Sequence, residues 1–412
     1  MAWSIYCRLA EGALDHGSVE ALARDIGMSS RHMRRLLLDH FGVTPIEVAQ
    51  TQRLLFAKKL LHETGLPMLE VALASGFASL RRFNAAFIES YHMSPSALRR
   101  ERTHMLPEGD VVTLRLSYRP PLDWPYWLQY LELRAIVGIE AVAAGVYRRT
   151  LRMTSGAKTL TGWFEVCADA KRHVLVVKVP RHLSACLVPL SQRVRQLFDL
   201  DANPRLIAEQ LKNATLIGPH LKDASRLRVP GAWDAFELGI RAVLGQQVSV
   251  RGASTLAQRL AQRYCDALKD APAGLAYLPP EPVRIAAINA AELASIGVPR
   301  SRAVTLVEFA RFAAQGGLVF PFGAKLGDIV ARLKQVPGIG DWTAHYIAMR
   351  ALRQADAFPS GDLGLRHAAA RLSGHAGKPL SARALNQLSE NWRPWRAYAA
   401  SQLWSSLAKE LS

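Results

Sequence analysis

Cysteine is scarce in this chain, with four in 412 residues, at Cys7, Cys167, Cys186 and Cys265. None forms a Cys-x-x-Cys pair and all are far apart, which excludes a four-cysteine iron–sulfur ligand set and argues against a zinc site or a disulfide framework. A reducing cytoplasm is the compartment expected from such usage. Long apolar runs are also missing. None reaches the roughly 18 residues that a membrane-spanning helix needs, so no membrane partner is expected. The N-terminus lacks the basic-then-apolar order of a signal peptide. Acidic residues are in deficit, 34 Asp and Glu against 52 Lys and Arg, for a net charge of +18. Such a balance favours a polyanionic partner. Residues 1–105 hold 13 basic and 10 acidic side chains, so most of the excess lies further along.

What is present reads as mainly α with a small α+β domain. Residues 1–100 are helical in pattern. Ser18 to Gly27 forms a short amphipathic helix ending in glycine, and Ser29 caps a second that runs to His40. Helix, glycine turn, capped helix is a helix-turn-helix layout. It recurs about 50 residues later, as Met68 to Phe77 followed by Ser79 to Tyr91. Phe41-Gly-Val-Thr-Pro45 and Tyr91-His-Met-Ser-Pro95 close the two units alike. A linking helix from Ile46 to Leu61 is apolar at Leu54, Leu55, Ala57, Leu60 and Leu61.

The spacing of Ala72, Gly76-Phe77, Phe83, Phe87 and Ser94-Pro95 resembles the AraC/XylS family of DNA-binding domains, which carry two helix-turn-helix units on one linker helix. The resemblance implies that residues 1–105 bind operator DNA. Arg31, His32, Arg34 and Arg35 would lie on the first recognition helix, and Arg81, Arg82 and Asn84 on the second. Arginine and asparagine suit guanine and adenine edges. Contact with phosphate alone, or with solvent, is the competing reading for each. Phe77, Phe83 and Phe87 are core positions.

Glu101 to Asp110 is polar, holds Pro107 and Gly109, and reads as a linker. Alternation follows at Val112, Leu114, Leu116 and Tyr118. A helix is expected from about Trp127 to Ile136, then strands at Thr161–Val166 and His173–Val179. These elements make 111–190 a small α+β unit, and 191–412 reads as helical.

In that last region Val336-Pro-Gly-Ile-Gly340 opens directly onto Asp341-Trp-Thr-Ala-His-Tyr346. The turn joins two helices as a hairpin. Its glycines permit close backbone approach, and the next helix starts with free N–H groups, a seat for a phosphate. Asp362 follows about one helix later, placing an acid beside a DNA backbone gripped without regard to sequence.

Residues 112–412 resemble 3-methyladenine DNA glycosylase II, within the helix-hairpin-helix glycosylase superfamily. The resemblance rests on Tyr118-Arg-Pro-Pro-Leu-Asp-Trp124, Asp234 to Gln246, Pro337 to Ala344 and Trp392-Arg-Pro-Trp-Arg-Ala-Tyr398. It implies excision of alkylated bases from flipped nucleotides in duplex DNA, with Asp362 as the catalytic carboxylate. Capping of the following helix is a compatible second role for Asp362; Asp341 and Asp356 are rival carboxylates. Pro337, Gly338, Ile339 and Gly340 would hold phosphate, with a monovalent cation on the hairpin carbonyls and no metal held by side chains. Trp342, Tyr346 and Trp404 match the aromatic base pocket, where a cationic alkylpurine is favoured by cation–π attraction. Trp233, Trp392 and Trp395 are read as structural. Bifunctional relatives carry a lysine at the position of Trp342; an indole forms no imine, so no strand cleavage is expected. Two departures stand out. Gln247 takes the place of an apolar wedge, and Leu363 replaces an aromatic after the acid.

The module order resembles part of the Ada-type fusions. Their zinc-sensor cysteines and Pro-Cys-His-Arg motif are absent, so the chain has lost the sensor or begins after it. A monomeric glycosylase with an added sequence-reading module is the first expectation. A transcription regulator whose glycosylase-like half binds DNA without catalysis is the second, and a nonspecific tether at the N-terminus the third.

Overall fold

The computed structural model describes all 412 residues except 11, 15, 16, 101–108, 156, 157, 222, 223, 322, 375–377 and 409–412. The expected linker therefore lies mostly outside the described residues. The N-terminal helices are α1 (Ala2–Ala10), α2 (Val19–Asp25), α3 (Ser30–Phe41), α4 (Pro45–Glu63), α5 (Met68–Ala74), α6 (Leu80–Tyr91) and α7 (Pro95–Arg100). Serines do start the helices as their spacing implies: Ser18, Ser29 and Ser79 each accept from a backbone N–H three residues on. Thr44 and Glu47 cap α4 reciprocally, which satisfies two otherwise orphaned donors. Leu55, expected on the apolar side of α4, is half exposed.

The α+β unit holds β1 (Val111–Ser117), α8 (Trp124–Arg134), β2 (Glu140–Ala143), β3 (Val146–Ser155), β4 (Lys158–Asp169) and β5 (Val174–Pro180). The strands form one antiparallel sheet in the order β1-β5-β4-β3-β2, with Leu114 opposite Val177 and Val177 opposite Val166. Two features differ from the sequence expectation. Helix α8 begins three residues early, because Asp123 caps it at the Tyr126 N–H (3.0 Å) and Pro125 fits its first turn. Strands β2 and β3 were not expected at all. Arg148, Arg149 and Arg152 interrupt the apolar alternation of β3, yet Arg149 is buried. It is held there by Glu237 at 2.6 Å and Glu140 at 3.8 Å, so a charge occupies a core position that patterning reserves for an apolar side chain.

The helical region holds α9 (Leu187–Leu197), α10 (Pro204–Leu211), α11 (Ala235–Leu244), α12 (Val250–Tyr264), α13 (Pro282–Ala286), α14 (Ala290–Ser295), α15 (Arg300–Ala314), α16 (Leu326–Leu333), α17 (Asp341–Arg350), α18 (Leu363–Leu372), α19 (Ala382–Ser389) and α20 (Arg396–Ala408). Position 190 falls inside α9, so the division expected at 190/191 meets no element boundary.

Three apolar clusters organise the chain. The first lies within α1–α4, around Ile5, Leu9, Met33 and Leu37. The second runs from Phe83 and Phe87 of the second helix-turn-helix unit into Leu114 and Val177 of the sheet, and on to Trp233. The third fills the helical region. Polar contacts reinforce the second: Lys59 donates to the Arg115 carbonyl (2.5 Å), the Arg115 N–H to Glu63 (2.8 Å), and Arg181 grips Glu70 through two bonds of 3.1 and 2.7 Å. The second helix-turn-helix unit is thus packed on the sheet through a common core. Among the described residues no helix is long and apolar enough to cross a membrane.

Candidate active site

Val336 and Ile339 are buried and anchor the hairpin between α16 and α17. The two glycines serve different ends. Gly338 has φ +86°, and a Cβ there would meet Thr305 Oγ1 at 2.0 Å, so its need for glycine is internal. Gly340 has φ −92°, and a Cβ there would meet nothing within 4 Å. It precedes α17 without a side-chain cap, so no capping side chain takes the first N–H groups of the helix, as a phosphate seat requires. Gly338 thus has a packing reason to be glycine, while the space beside Gly340 is open. Asp341 stands on the same turn, exposed, paired with Lys334 at 2.6 Å.

The hairpin is tied to the α11–α12 turn by Gln246, whose amide donates to the Gly338 carbonyl and to Thr343 Oγ1, both at 3.1 Å. That tie puts Gln247 beside the hairpin, exposed and at φ +55°. Val248 next to it is 39% exposed, so this rim is partly apolar.

Asp362 caps α18. Its Oδ1 accepts from the Leu365 N–H at 2.9 Å and from the Trp404 indole at 3.0 Å, and its Oδ2 accepts from the Trp342 indole at 2.9 Å. Capping and a position between the two indoles therefore coexist. Gly364 has no side chain where one would press within 3.1 Å of Asp362 Oδ1 and 3.6 Å of Trp404. Trp342 stacks on Tyr346 with ring centres 5.4 Å apart at 15°, and Trp404 meets Tyr346 edge-on at 6.2 Å and 74°. The four residues singled out from sequence thus come together, from α17, the start of α18 and α20. Leu363 is 56% exposed beside them.

Other carboxylates have other duties. Asp356 is taken by Arg393 and Arg396. Trp392 is fully buried and donates to the Thr215 carbonyl at 3.0 Å, and Trp233 is buried against Phe164, consistent with core roles.

Three participants escaped the sequence reading. Gln246 and Thr305 shape the hairpin. Arg350 donates to the Tyr346 hydroxyl at 2.7 Å. Its spacing of four from Tyr346 and eight from Trp342 puts it on the same helix face, a signal that was available. Through Arg350 the site also reaches Tyr130 of α8, which no local pattern marks. Burial alone would raise the Tyr130 phenol, but Arg350, Arg134 and Arg241 together hold it below the ordinary tyrosine value. His345 is depressed, by burial first and by Arg396 second.

The helix-turn-helix candidates lie apart from this cluster. Arg31, His32, Arg34 and Arg35 are exposed on α3, with Arg34 paired to Glu20 at 3.0 Å; Arg81 and Arg82 are exposed on α6, and Asn84 is half-buried. Among the described residues no group of His, Cys, Asp and Glu is arranged to hold a metal ion. Two open clefts, of about 930 and 440 Å³, border the helix-turn-helix module. Neither includes Asp362, around which the aromatic rings are in mutual contact.

Three family models match the chain in order: a helix-turn-helix domain over residues 22–101, an AlkA N-terminal domain over 113–234, and an HhH-GPD superfamily base excision DNA repair protein over 240–394. The chain is 36% identical over 405 residues to a probable bifunctional transcriptional activator/DNA repair enzyme AlkA of Mycobacterium tuberculosis, covering 97% of this chain and 79% of that protein. It is 32% identical over 289 residues to DNA-3-methyladenine glycosylase 2 of Escherichia coli, covering 70% of this chain and 95% of that one. A solved 3-methyladenine DNA-glycosylase from Archaeoglobus fulgidus shares the fold of 72% of the chain and 98% of its own, at TM-score 0.60 and 20% identity.

Proposed function

Given that this chain belongs to the AlkA family of bifunctional transcriptional activator/DNA repair enzymes, we propose that it is a monofunctional DNA glycosylase that excises alkylated bases of the 3-methyladenine type from duplex DNA. One observation carries the site assignment: a single carboxylate, Asp362, held by two indole N–H donors inside a cluster of three aromatic rings, next to an uncapped helix N-terminus.

The chemistry follows from the geometry. The hairpin amides hold a backbone phosphate while the damaged nucleotide leaves the stack, a step that costs a few kcal/mol. Gln247 fills the gap by hydrogen bonding. The base enters among Trp342, Tyr346 and Trp404, and rings of this kind attract a cationic alkylpurine. The C1′–N bond then breaks with its electron pair going to the base. A cationic base leaves neutral, so no acid need protonate it. Positive charge passes to the sugar, and Asp362 stabilises it. Three donors fix the carboxylate beforehand, so it need not reorient as the charge develops. Water adds to C1′ and gives up a proton. With an indole at position 342 and no amine in its place, the product is an abasic site on an uncut strand.

The Pro337 and Ile339 carbonyls take no hydrogen bond among the described residues. They are the groups that would hold a monovalent cation, which supplies added positive charge at the phosphate seat.

The N-terminal module reads DNA in this proposal, through Arg31, His32, Arg35, Arg81, Arg82 and Asn84, with Arg34 drawn to Glu20. Its shared core with the sheet favours a module held in fixed orientation over a loose tether. Footprinting on the gene's own promoter separates regulation from nonspecific binding: protection confined to a defined sequence supports regulation.

The test of the enzyme is release of free bases from methylated duplex by the full chain and by Asp362→Asn. Release by the wild type alone is expected. Equal release by the variant removes Asp362 from its role, and release by neither leaves the regulator reading.

A further inference from the structure

The turn between α11 and α12 is held from two sides. Arg302 of α15 donates to the Leu244 carbonyl at 3.4 Å. From the other side the Gln246 amide donates to the Gly338 carbonyl and to Thr343 Oγ1, each at 3.1 Å. A carbonyl oxygen only accepts, so the nitrogen end of the amide must face it, and its two N–H bonds serve both partners. Helix α15 also brings Thr305 against Gly338. Turn, hairpin and α15 therefore form one braced unit, although Gln246 and Gly338 stand 92 positions apart.

Gln247 follows at once, exposed and at φ +55°. A residue with a Cβ keeps that left-handed backbone only where its surroundings impose it. Glycine would make the same turn without strain. Glutamine instead keeps a long polar side chain at this point, and the residue before it is the one pinned to the hairpin.

We propose that Gln246 is a positioning residue: it sets the place of Gln247 relative to the phosphate seat, so that gripping the strand and filling the gap left by a flipped base are coupled. The proposal deepens the glycosylase reading and rests on it. A well-placed glutamine matters most when the departing base had a partner, because its amide can then hydrogen-bond the orphaned base and offset part of the unpairing cost. Opposite an abasic position there is no orphaned base, and the tie has little to act on. Asp362 is held by other groups, the Leu365 N–H and the Trp404 and Trp342 indoles, so loss of the tie leaves bond breaking at the sugar as it was.

The experiment is single-turnover release of 3-methyladenine by the full chain, from duplexes holding one methylated adenine opposite thymine or opposite an abasic position. Gln246→Met keeps the reach of the side chain and removes both donors. It is expected to lower the ratio of the first rate to the second by about three- to tenfold, the size of one net hydrogen bond. Thr343→Val removes one anchor and is expected to move the ratio the same way by a smaller factor; it keeps the test alive if Gln246→Met fails to fold. In a Gln247→Ala background, Gln246→Met is expected to change the ratio no further, since the tie acts through that side chain. General structural damage slows release from both duplexes alike and leaves the ratio where it was. An unchanged ratio in Gln246→Met and Thr343→Val overturns the proposal, as does a full additional loss in the Gln247→Ala background. Release from neither duplex by the wild type overturns the glycosylase reading, and the tie with it; release by the wild type with an unchanged ratio in the variants overturns the tie alone.

Discussion

The two hairpin glycines allow fold and DNA grip to be perturbed separately. In Gly338→Ala the new methyl group would sit 2.0 Å from Thr305 Oγ1 and 3.0 Å from its Cβ, at φ +86°. A left-handed conformation costs an L-residue roughly 1–2 kcal/mol, and forcing a methyl into a filled space costs about 1–3 kcal/mol more. Together these take a large share of the roughly 5–15 kcal/mol that holds a typical domain folded. Thr305→Ala in the same chain removes the Oγ1 contact and should recover the packing part, leaving the backbone part. Gly340→Ala meets nothing within 4 Å and keeps an ordinary φ of −92°, so its stability should match the wild type. Its methyl group stands where a phosphate would come, and losing one charge-assisted hydrogen bond is worth about 1.5–3 kcal/mol, or roughly a 10- to 100-fold loss of affinity. Thermal melts with fluorescence anisotropy on an undamaged duplex, for residues 1–412 throughout, separate the two effects. A folded Gly340→Ala protein that binds duplex as tightly as the wild type would refute the phosphate seat. Gly338→Ala with an unaltered melt would refute the internal role given to Thr305.

The other expectations concern charge and packing. Burial pushes the Asp199 carboxyl up to about 6, against the opposing pull of the Val229 N–H and of Arg228. The folded form thus binds this proton more tightly than the unfolded chain. Its contribution is fully present below about pH 4, the unfolded value, and is lost as pH rises through about 6. Asp199→Asn should flatten urea-unfolding stability between those limits and raise it at pH 7 by roughly 3 kcal/mol, taking 1.36 kcal/mol per pKa unit; a retained slope refutes this. Asp341→Asn removes an exposed carboxylate from the phosphate seat and should tighten binding to undamaged duplex by roughly two- to fivefold, the scale of an exposed charge pair; anisotropy at low salt reads it, and weaker binding contradicts it. Phe87→Ala removes a ring that is fully buried between Phe83 and Tyr91 and should cost about 3–5 kcal/mol. Because the same cluster continues into β1, hydrogen exchange at 112–116 should quicken with it. Unchanged exchange there would mean that the two domains do not share their stability.

Much of the site was legible in the chain because its signals are local. The Pro-Gly-Ile-Gly turn, the capping serines and the 342/346 spacing act within a few residues, where backbone sterics and helix period leave few alternatives. The resemblance drawn from the residues supplied Asp362 and Trp404, which local patterns alone do not connect. Other features were hidden because long-range contacts decide them. Arg149 looks like a break in a strand until Glu237, 88 positions later, neutralises it. The packing reason for glycine at 338 is invisible until Thr305, 33 positions earlier, is found against it. Tyr130 has no mark in sequence, since its partner Arg350 lies 220 residues on, and the helix-turn-helix module gives no sign that its core runs on into the sheet.

The amino-acid order alone thus settled that most of the chain coils and where the serine-capped helices begin, because those depend on neighbours along the chain, while its resemblance to a known family named the acid and the rings. Tertiary packing alone decided that both indoles point at Asp362, that one glycine serves the protein and the other faces outward, and that an arginine sits between two phenols. Those outcomes depend on which distant side chains fill the same space, and close packing lets only one arrangement do so.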